Sequence, residues 1–134
     1  MILVDTSVWI DFLQGRDTAH RHTLHRLIED EEDICLTGIV LTEILQGLKD
    51  DKEGSKIKDD LLAFPFYNPS EIDTYIEAAN IYRQCIKKGK TVRKTIDCLI
   101  AAIAIENDLT LFHNDRDFSS IEQCTELKTL NVVE

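Results

Sequence analysis

The chain has 134 residues, is 43% hydrophobic and 30% charged, and carries 25 acids against 15 bases, a net charge of −10. Those values predict one globular domain over residues 1–134 with a real core, and they argue against indiscriminate binding to nucleic acid. The longest uninterrupted apolar run, Cys98 to Ile105, is too short to span a bilayer. Asp5 breaks the apolar opening and no basic stretch precedes it, unlike a secretory leader. A cytoplasmic protein with no membrane partner is expected. Cys35, Cys85, Cys98 and Cys124 form no CxxC pair, and they read as buried free thiols.

In chain order, residues 1–5 read as a strand, after which Asp5-Thr6-Ser7 caps a short helix with Trp9, Phe12 and Leu13 inward. Gly15 ends that helix. A second helix points Leu24, Leu27 and Ile28 inward, and its histidines, His20, His22 and His25, are expected at the surface. Residues 34–37 read as the second strand, and 39–48 as a helix with Val40, Leu41, Ile44, Leu45 and Leu48 on one face. Lys49 to Ser55 reads as a polar turn, 57–64 as a helix stopped by Pro65, and Phe66-Tyr67 as a short strand. A longer helix starts at Pro69-Ser70, with Ile72, Tyr75, Ile76, Ala79, Tyr82 and Ile86 expected on its buried face, and closes near Gly89. Residues 96–106 are apolar almost all round, which implies a helix buried on most sides. Thr95 is a plausible N-cap for it. Thr110 to His113 reads as a strand, Ile121 begins a last short helix or turn, and a final strand is expected within Leu127 to Val133. Alternation of strands and helices implies right-handed crossovers and a mostly parallel sheet covered on both faces.

Under that topology four acidic segments arrive at one sheet edge, where open α/β sheets bind ligands. Asp5 ends the first strand, as an N-cap or as a metal ligand. Thr6 and Ser7 follow it with hydroxyls able to orient a carboxylate or a water. Glu43 lies roughly 130° from the centre of its helix's apolar face at about 100° per residue, on the flank and not in the core. Asp97 sits in the first turn of an otherwise greasy helix, where the dipole favours an acid. Asp115 and Asp117 lie in the loop His113-Asn114-Asp115-Arg116-Asp117-Phe118, with Phe118 expected to anchor the loop and Arg116 to pair with either aspartate. Spacing does not decide which of the two faces the site. Gathered carboxylates repel unless a cation sits between them, and oxygen-only ligands favour Mg²⁺ or Mn²⁺ over zinc. One or two such ions suit hydrolysis of a phosphodiester. No nucleophilic triad is apparent, and a His20–His25 metal pair is disfavoured because i and i+5 do not share a helix face. Lys87, Lys88, Lys90, Arg93 and Lys94 crowd the stretch just before Asp97, either as a solvated helix end or as a phosphate contact.

Four segments carry a resemblance to a known family. They are Val4-Asp5-Thr6-Ser7-Val8-Trp9-Ile10-Asp11, Thr42-Glu43-Ile44-Leu45-Gln46-Gly47, Thr95-Ile96-Asp97-Cys98-Leu99-Ile100-Ala101-Ala102 and His113-Asn114-Asp115-Arg116-Asp117-Phe118. In order and spacing they resemble the motifs of PIN-domain ribonucleases, and more narrowly of the VapC toxins of type II toxin–antitoxin systems. The resemblance implies a three-layer α/β/α PIN-like domain with a central, mostly parallel sheet of four to five strands. It implies a Mg²⁺- or Mn²⁺-dependent endoribonuclease leaving a 5′-phosphate and a 3′-hydroxyl. It further implies a homodimer held in check by a cognate antitoxin whose C-terminal tail covers the acidic groove. Carried over, Asp5, Glu43 and Asp97 match the metal-binding acids and Asp115 the fourth, with Asp117 its competitor. Thr6, Ser7 and Asn114 would support them, and the Lys87–Lys94 stretch would steer RNA. A PIN-like module that binds RNA or protein without cutting is the alternative.

Overall fold

The computed structural model describes residues 1–132, so Val133, at the end of the expected last strand, lies outside the described residues. The strands are β1 (Ile2–Val4), β2 (Ile34–Cys35), β3 (Thr110–Phe112) and β4 (Lys128–Thr129). The helices are α1 (Thr6–Leu13), α2 (Ala19–Glu29), α3 (Gly38–Gln46), α4 (Asp51–Leu62), α5 (Ile72–Lys87), α6 (Thr95–Glu106) and α7 (Arg116–Cys124). The strands form one parallel sheet in the order β2-β1-β3-β4, with helices packed as α1 on α2 and α3, and α5 on α6 and α7. This is the three-layer α/β/α arrangement.

The strand order matters for function. The chain leaves β1 for its neighbour on one side and β3 for its neighbour on the other, so the crossover direction reverses between the two central strands. That reversal opens a crevice at their carboxyl ends. Register pairs Val4 with Phe112, and the Asp5 amide donates to the Phe112 carbonyl at 2.9 Å. Asp5 and the loop after β3 therefore flank the crevice from both sides.

Leu3, Val4, Leu111 and Phe112 are fully buried, as strands covered on both faces require. On α6, Cys98 and Ile100 to Ala104 are all buried, and its small residues let α5 lie close. Gly15 and Gly89 adopt φ of +66° and +72°, a region a side chain disfavours, and each stands just past the end of its helix.

Several sequence expectations need correction. Lys49 to Ser55 is not a turn: Asp50 caps α4 through the Lys52 amide, and the helix runs from Asp51. Residues 51–56 carry no large apolar side chain, so the apolar period that begins at Ile57 does not mark where the helix starts. β2 ends at Cys35, with Thr37 as the N-cap of α3, and Phe66 makes one bridge to Leu36 instead of a strand. α7 begins at Arg116 and not at Ile121, because Asp115 caps it.

The largest difference is in α5, which begins at Ile72 and not at Pro69-Ser70. The predicted core stripe faces outward: Ile72, Tyr75, Ile76, Tyr82 and Ile86 are 71%, 51%, 55%, 40% and 52% exposed. The buried face is Thr74, Ala78, Ile81 and Cys85. Small side chains are what the close α5–α6 approach demands. All four cysteines are buried and free, as read from the sequence.

Candidate functional site

Asp5 is built into the site by α1. Its Oδ2 caps the helix, accepting from the Ser7 amide at 3.1 Å and the Ser7 hydroxyl at 2.7 Å. Burial raises the Asp5 carboxyl above its ordinary range, with the Ser7 bonds partly offsetting this. Thr6, one residue on, donates to Glu43 Oε1 at 2.9 Å and so ties α1 to α3. Glu43 is half-buried on the flank of α3, where the helical wheel put it. Thr6 and Ser7 thus contact Glu43 and Asp5, through bonds that spacing could not show.

Asp97 is 3% exposed in the first turn of α6. One ligating oxygen each from Asp97, Asp115 and Asp117 lie within 4.8 Å of one another. Burial, followed by the adjoining Asp117 carboxyl, pushes the Asp97 carboxyl up to about 8, against the field of Lys94. Asp97 Oδ2 is buried with no hydrogen-bond partner. A buried carboxylate oxygen left without a donor is costly, unless the site is built for a cation.

The pair left open by the sequence divides its labour. Asp117 is 2% exposed, and its Oδ2 accepts the amides of Arg93 and Lys94, each at 3.1 Å, while Oδ1 takes Arg93 Nε at 3.0 Å. Burial opposes its charge, but Arg93 and these amides win and hold it below the ordinary carboxylate value. Asp117 therefore fixes the backbone leading into α6, and the cap expected of Thr95 is not made. Lys94 is the N-cap residue of α6 and makes no side-chain cap, and Thr95 is already helical. Asp115 is more open, with its side chain 15% exposed. It accepts from Arg93 Nη2 at 3.2 Å, Lys94 Nζ at 3.1 Å and the Asp117 amide at 2.9 Å. Among the described residues Arg116 forms no ion pair with either aspartate; Arg93, more than twenty residues upstream, pairs with both.

The basic stretch is split. Arg93 and Lys94 are drawn into the acids, and their neighbours Asp115 and Asp117 raise the Arg93 value while Lys94 stays charged despite its partial burial. Lys87 and Lys88 remain exposed and Lys90 half-exposed beyond them.

Sequence reasoning missed Asp11. It is 4% exposed and holds Arg16 Nη1 at 3.2 Å, Thr18 Oγ1 at 3.2 Å and Asn114 Nδ2 at 3.4 Å. The Asn114 amide in turn donates to Ser7 Oγ at 2.9 Å. The available signal was position: Asp11 lies at i+4 from Ser7 on α1, hence on the same face. His20 is half-buried and stacks on Phe112 with centroids 5.8 Å apart, so it is not a plain surface histidine. His113 Nδ1 accepts from the Asp115 amide at 3.1 Å, and burial lowers its value. Phe118 is fully buried and anchors the loop as expected.

Known proteins share this geometry and its sequence. The PIN domain family matches residues 2–123. Ribonuclease VapC11 of Mycobacterium tuberculosis is 33% identical over 129 residues, covering 96% of each chain. Among solved structures, VapBC2 from Rickettsia felis, bound to a DNA fragment from its promoter, superposes with a TM-score of 0.75 at 20% identity over 98% of both chains. A toxin–antitoxin complex from Klebsiella pneumoniae gives a TM-score of 0.70 at 22% identity, covering 89% of this chain and 91% of that one. At those identities the two structures speak to the fold, while VapC11 and the PIN match speak to kinship. The chain therefore belongs to the PIN-domain family, within its VapC group.

Proposed function

We propose that this chain, a single PIN domain over residues 1–134, is a Mg²⁺- or Mn²⁺-dependent endoribonuclease acting in the cytoplasm as the toxin of a toxin–antitoxin pair. The observation that carries this reading is the acidic cluster at the β1/β3 crevice, with three carboxylates within 4.8 Å and a buried, unpartnered Asp97 oxygen. Such a donor set fits a hard divalent cation. Asp5, Asp97 and Asp115 would hold one or two ions, with Glu43 as a further ligand or as orienter of the attacking water. Asp117 is the alternative fourth acid, but its oxygens already support the α6 entry. When bound, the metal polarises a water and stabilises charge on the departing oxygen.

The chain's own residues prepare that step. Ser7 fixes the Asp5 carboxylate, Thr6 fixes Glu43, and Asn114 links the Ser7 hydroxyl to the buried Asp11. Lys87, Lys88 and Lys90 would supply charge for a more distant part of the RNA backbone, since Lys88 Nζ lies 3.5 Å from the Cys124 carbonyl, at the end of α7 away from Asp115.

Two surfaces support the partners. Trp9, Phe12, Leu13, Ile28, Ile57 and Phe64 line an apolar groove of about 370 Å³. That chemistry suits an antitoxin segment bringing apolar side chains, in keeping with the Klebsiella pneumoniae complex. The exposed α5 stripe suits a second copy: two such faces meeting would bury on the order of 1,000 Å², the lower end for a specific interface.

The test is cleavage of RNA by the purified chain in Mg²⁺ or Mn²⁺, in excess EDTA, and with Asp97→Asn. Cleavage that needs metal and Asp97 is expected. Persistence in EDTA would refute the metal mechanism. A folded chain that binds RNA and cuts nothing with either ion would favour the non-catalytic module.

A further inference from the structure

We infer that Lys94 is a tethered stand-in for the metal: its ammonium occupies the acidic cluster in the metal-free protein and competes with a divalent cation for Asp115 and Asp97. This rests on the metal-site reading above.

The geometry is specific to this side chain. Asp117 Oδ2 accepts both the Arg93 and the Lys94 amide and so fixes the backbone from which Lys94 projects. Its Nζ then lies 3.1 Å from Asp115 Oδ2 and 3.6 Å from Asp97 Oδ2. That is the otherwise unpartnered Asp97 oxygen. An ammonium is a compact point charge with three donors and makes no geometric demand on its acceptors, so among oxygens it imitates a cation. Mg²⁺ would need the same oxygens at about 2.0–2.1 Å. Two cations cannot share them without strong repulsion at low local dielectric.

The neighbouring arginine plays a different part. Arg93 spans Asp117 and Asp115 with Nε at 3.0 Å and Nη2 at 3.2 Å, a planar fork across the outer rim of the pair. Lys94 reaches past it to Asp97, which Arg93 does not touch among the described residues. The Lys94 side chain is 49% exposed, so its flexible stem can swing out into water when a metal enters. The site is thereby kept from standing as a bare acid cluster, and its affinity for divalent ions is weakened.

The experiment is calorimetric titration of Mn²⁺ into the metal-stripped full chain without RNA, for wild type, Lys94→Met and Lys94→Arg, with thermal melts in EDTA and in saturating Mn²⁺. Loss of the charge in Lys94→Met is expected to tighten Mn²⁺ binding about tenfold or more. The same variant should melt lower than wild type in EDTA and at least as high in saturating Mn²⁺. Lys94→Arg keeps the charge and should bind Mn²⁺ no tighter than wild type. Equal or weaker Mn²⁺ binding by Lys94→Met, with wild type binding normally, overturns the stand-in role alone. If none of the three binds Mn²⁺, the metal-site reading falls and the stand-in role with it.

Discussion

Asp97→Asn tests whether the acidic cluster is built for a cation at the expense of the metal-free fold. Burial and the adjoining Asp117 carboxyl push the Asp97 carboxyl from 3.8 up to about 8. A raised folded value means that its contribution to stability is fully present below pH 3.8 and is lost as pH rises toward 8. A tenfold change in an acid's dissociation constant corresponds to about 1.4 kcal/mol. Water reaching the rim reduces the realised cost at neutral pH to roughly 2 kcal/mol. Asparagine has nearly the same shape as the protonated acid and removes the titration. Without metal the variant should therefore be more stable than wild type, by roughly 5–8 °C in melting temperature for a chain of this length. Melts in EDTA at neutral pH and near pH 5 measure it, and the gap should shrink at the lower pH, because the folded acid already holds its proton and the unfolded chain gains less by releasing its own as pH falls toward 3.8. Saturating Mn²⁺ should reverse the order, since only wild type keeps the full ligand set. A variant that melts at or below wild type at neutral pH in EDTA, or a gap that does not narrow near pH 5, would refute the reasoning.

Asp117→Ala should cost about 2 kcal/mol of stability in denaturant unfolding, because it leaves the Arg93 and Lys94 amides without their acceptor, whereas Asp115→Ala should cost much less and chiefly remove cleavage. Thr6→Val should lower the cleavage rate on the order of tenfold by freeing Glu43, with the melting temperature nearly unchanged; unaltered kinetics would remove Glu43 orientation from the mechanism. Replacing Lys87, Lys88 and Lys90 together with Ala should flatten the slope of log affinity against log salt, by about 0.7 for each phosphate of single-stranded RNA that the lysines no longer neutralise. Glu at Ile76 and Tyr82 should turn a dimer into a monomer in light scattering, and an unchanged mass would exclude α5 as the interface.

The acids were legible because strand ends are. Asp5 and Asp115 each follow a short apolar run and Asp97 opens an apolar helix; the trio within 4.8 Å is Asp97, Asp115 and Asp117, and Asp5, just after β1, lies outside it. The parallel sheet and the buried α6 followed from the same alternation. The face of α5 was not legible, since periodicity finds an apolar stripe without saying what covers it. Ile72, Tyr75, Ile76, Tyr82 and Ile86 form the more apolar stripe, yet the core took Thr74, Ala78, Ile81 and Cys85. Three of those four are small, as close packing against the alanines of α6 allows, while Ala79 of the expected stripe is exposed with the rest. The partition between Asp115 and Asp117 was equally hidden. It depends on Arg93, whose bonds to both span 22 and 24 positions in sequence and leave no local signature.

That partition explains how a cluster of like charges persists in a marginally stable fold. Asp117 commits both oxygens to Arg93 and to the entry of α6, so the backbone presenting Asp97 is held by an acid whose charge is favoured. Asp97 is then carried by its helix into a place where its own charge is disfavoured. The stabilised aspartate secures the position of the destabilised one, whose Oδ2 has no hydrogen-bond partner among the described residues. Asp115 lies between these extremes, bonded to both basic residues yet partly open to water. The net charge of −10 looks different in that light. On the proposed reading, part of that charge is left unsatisfied by folding alone and would be met by a cation at the carboxyl ends of β1 and β3.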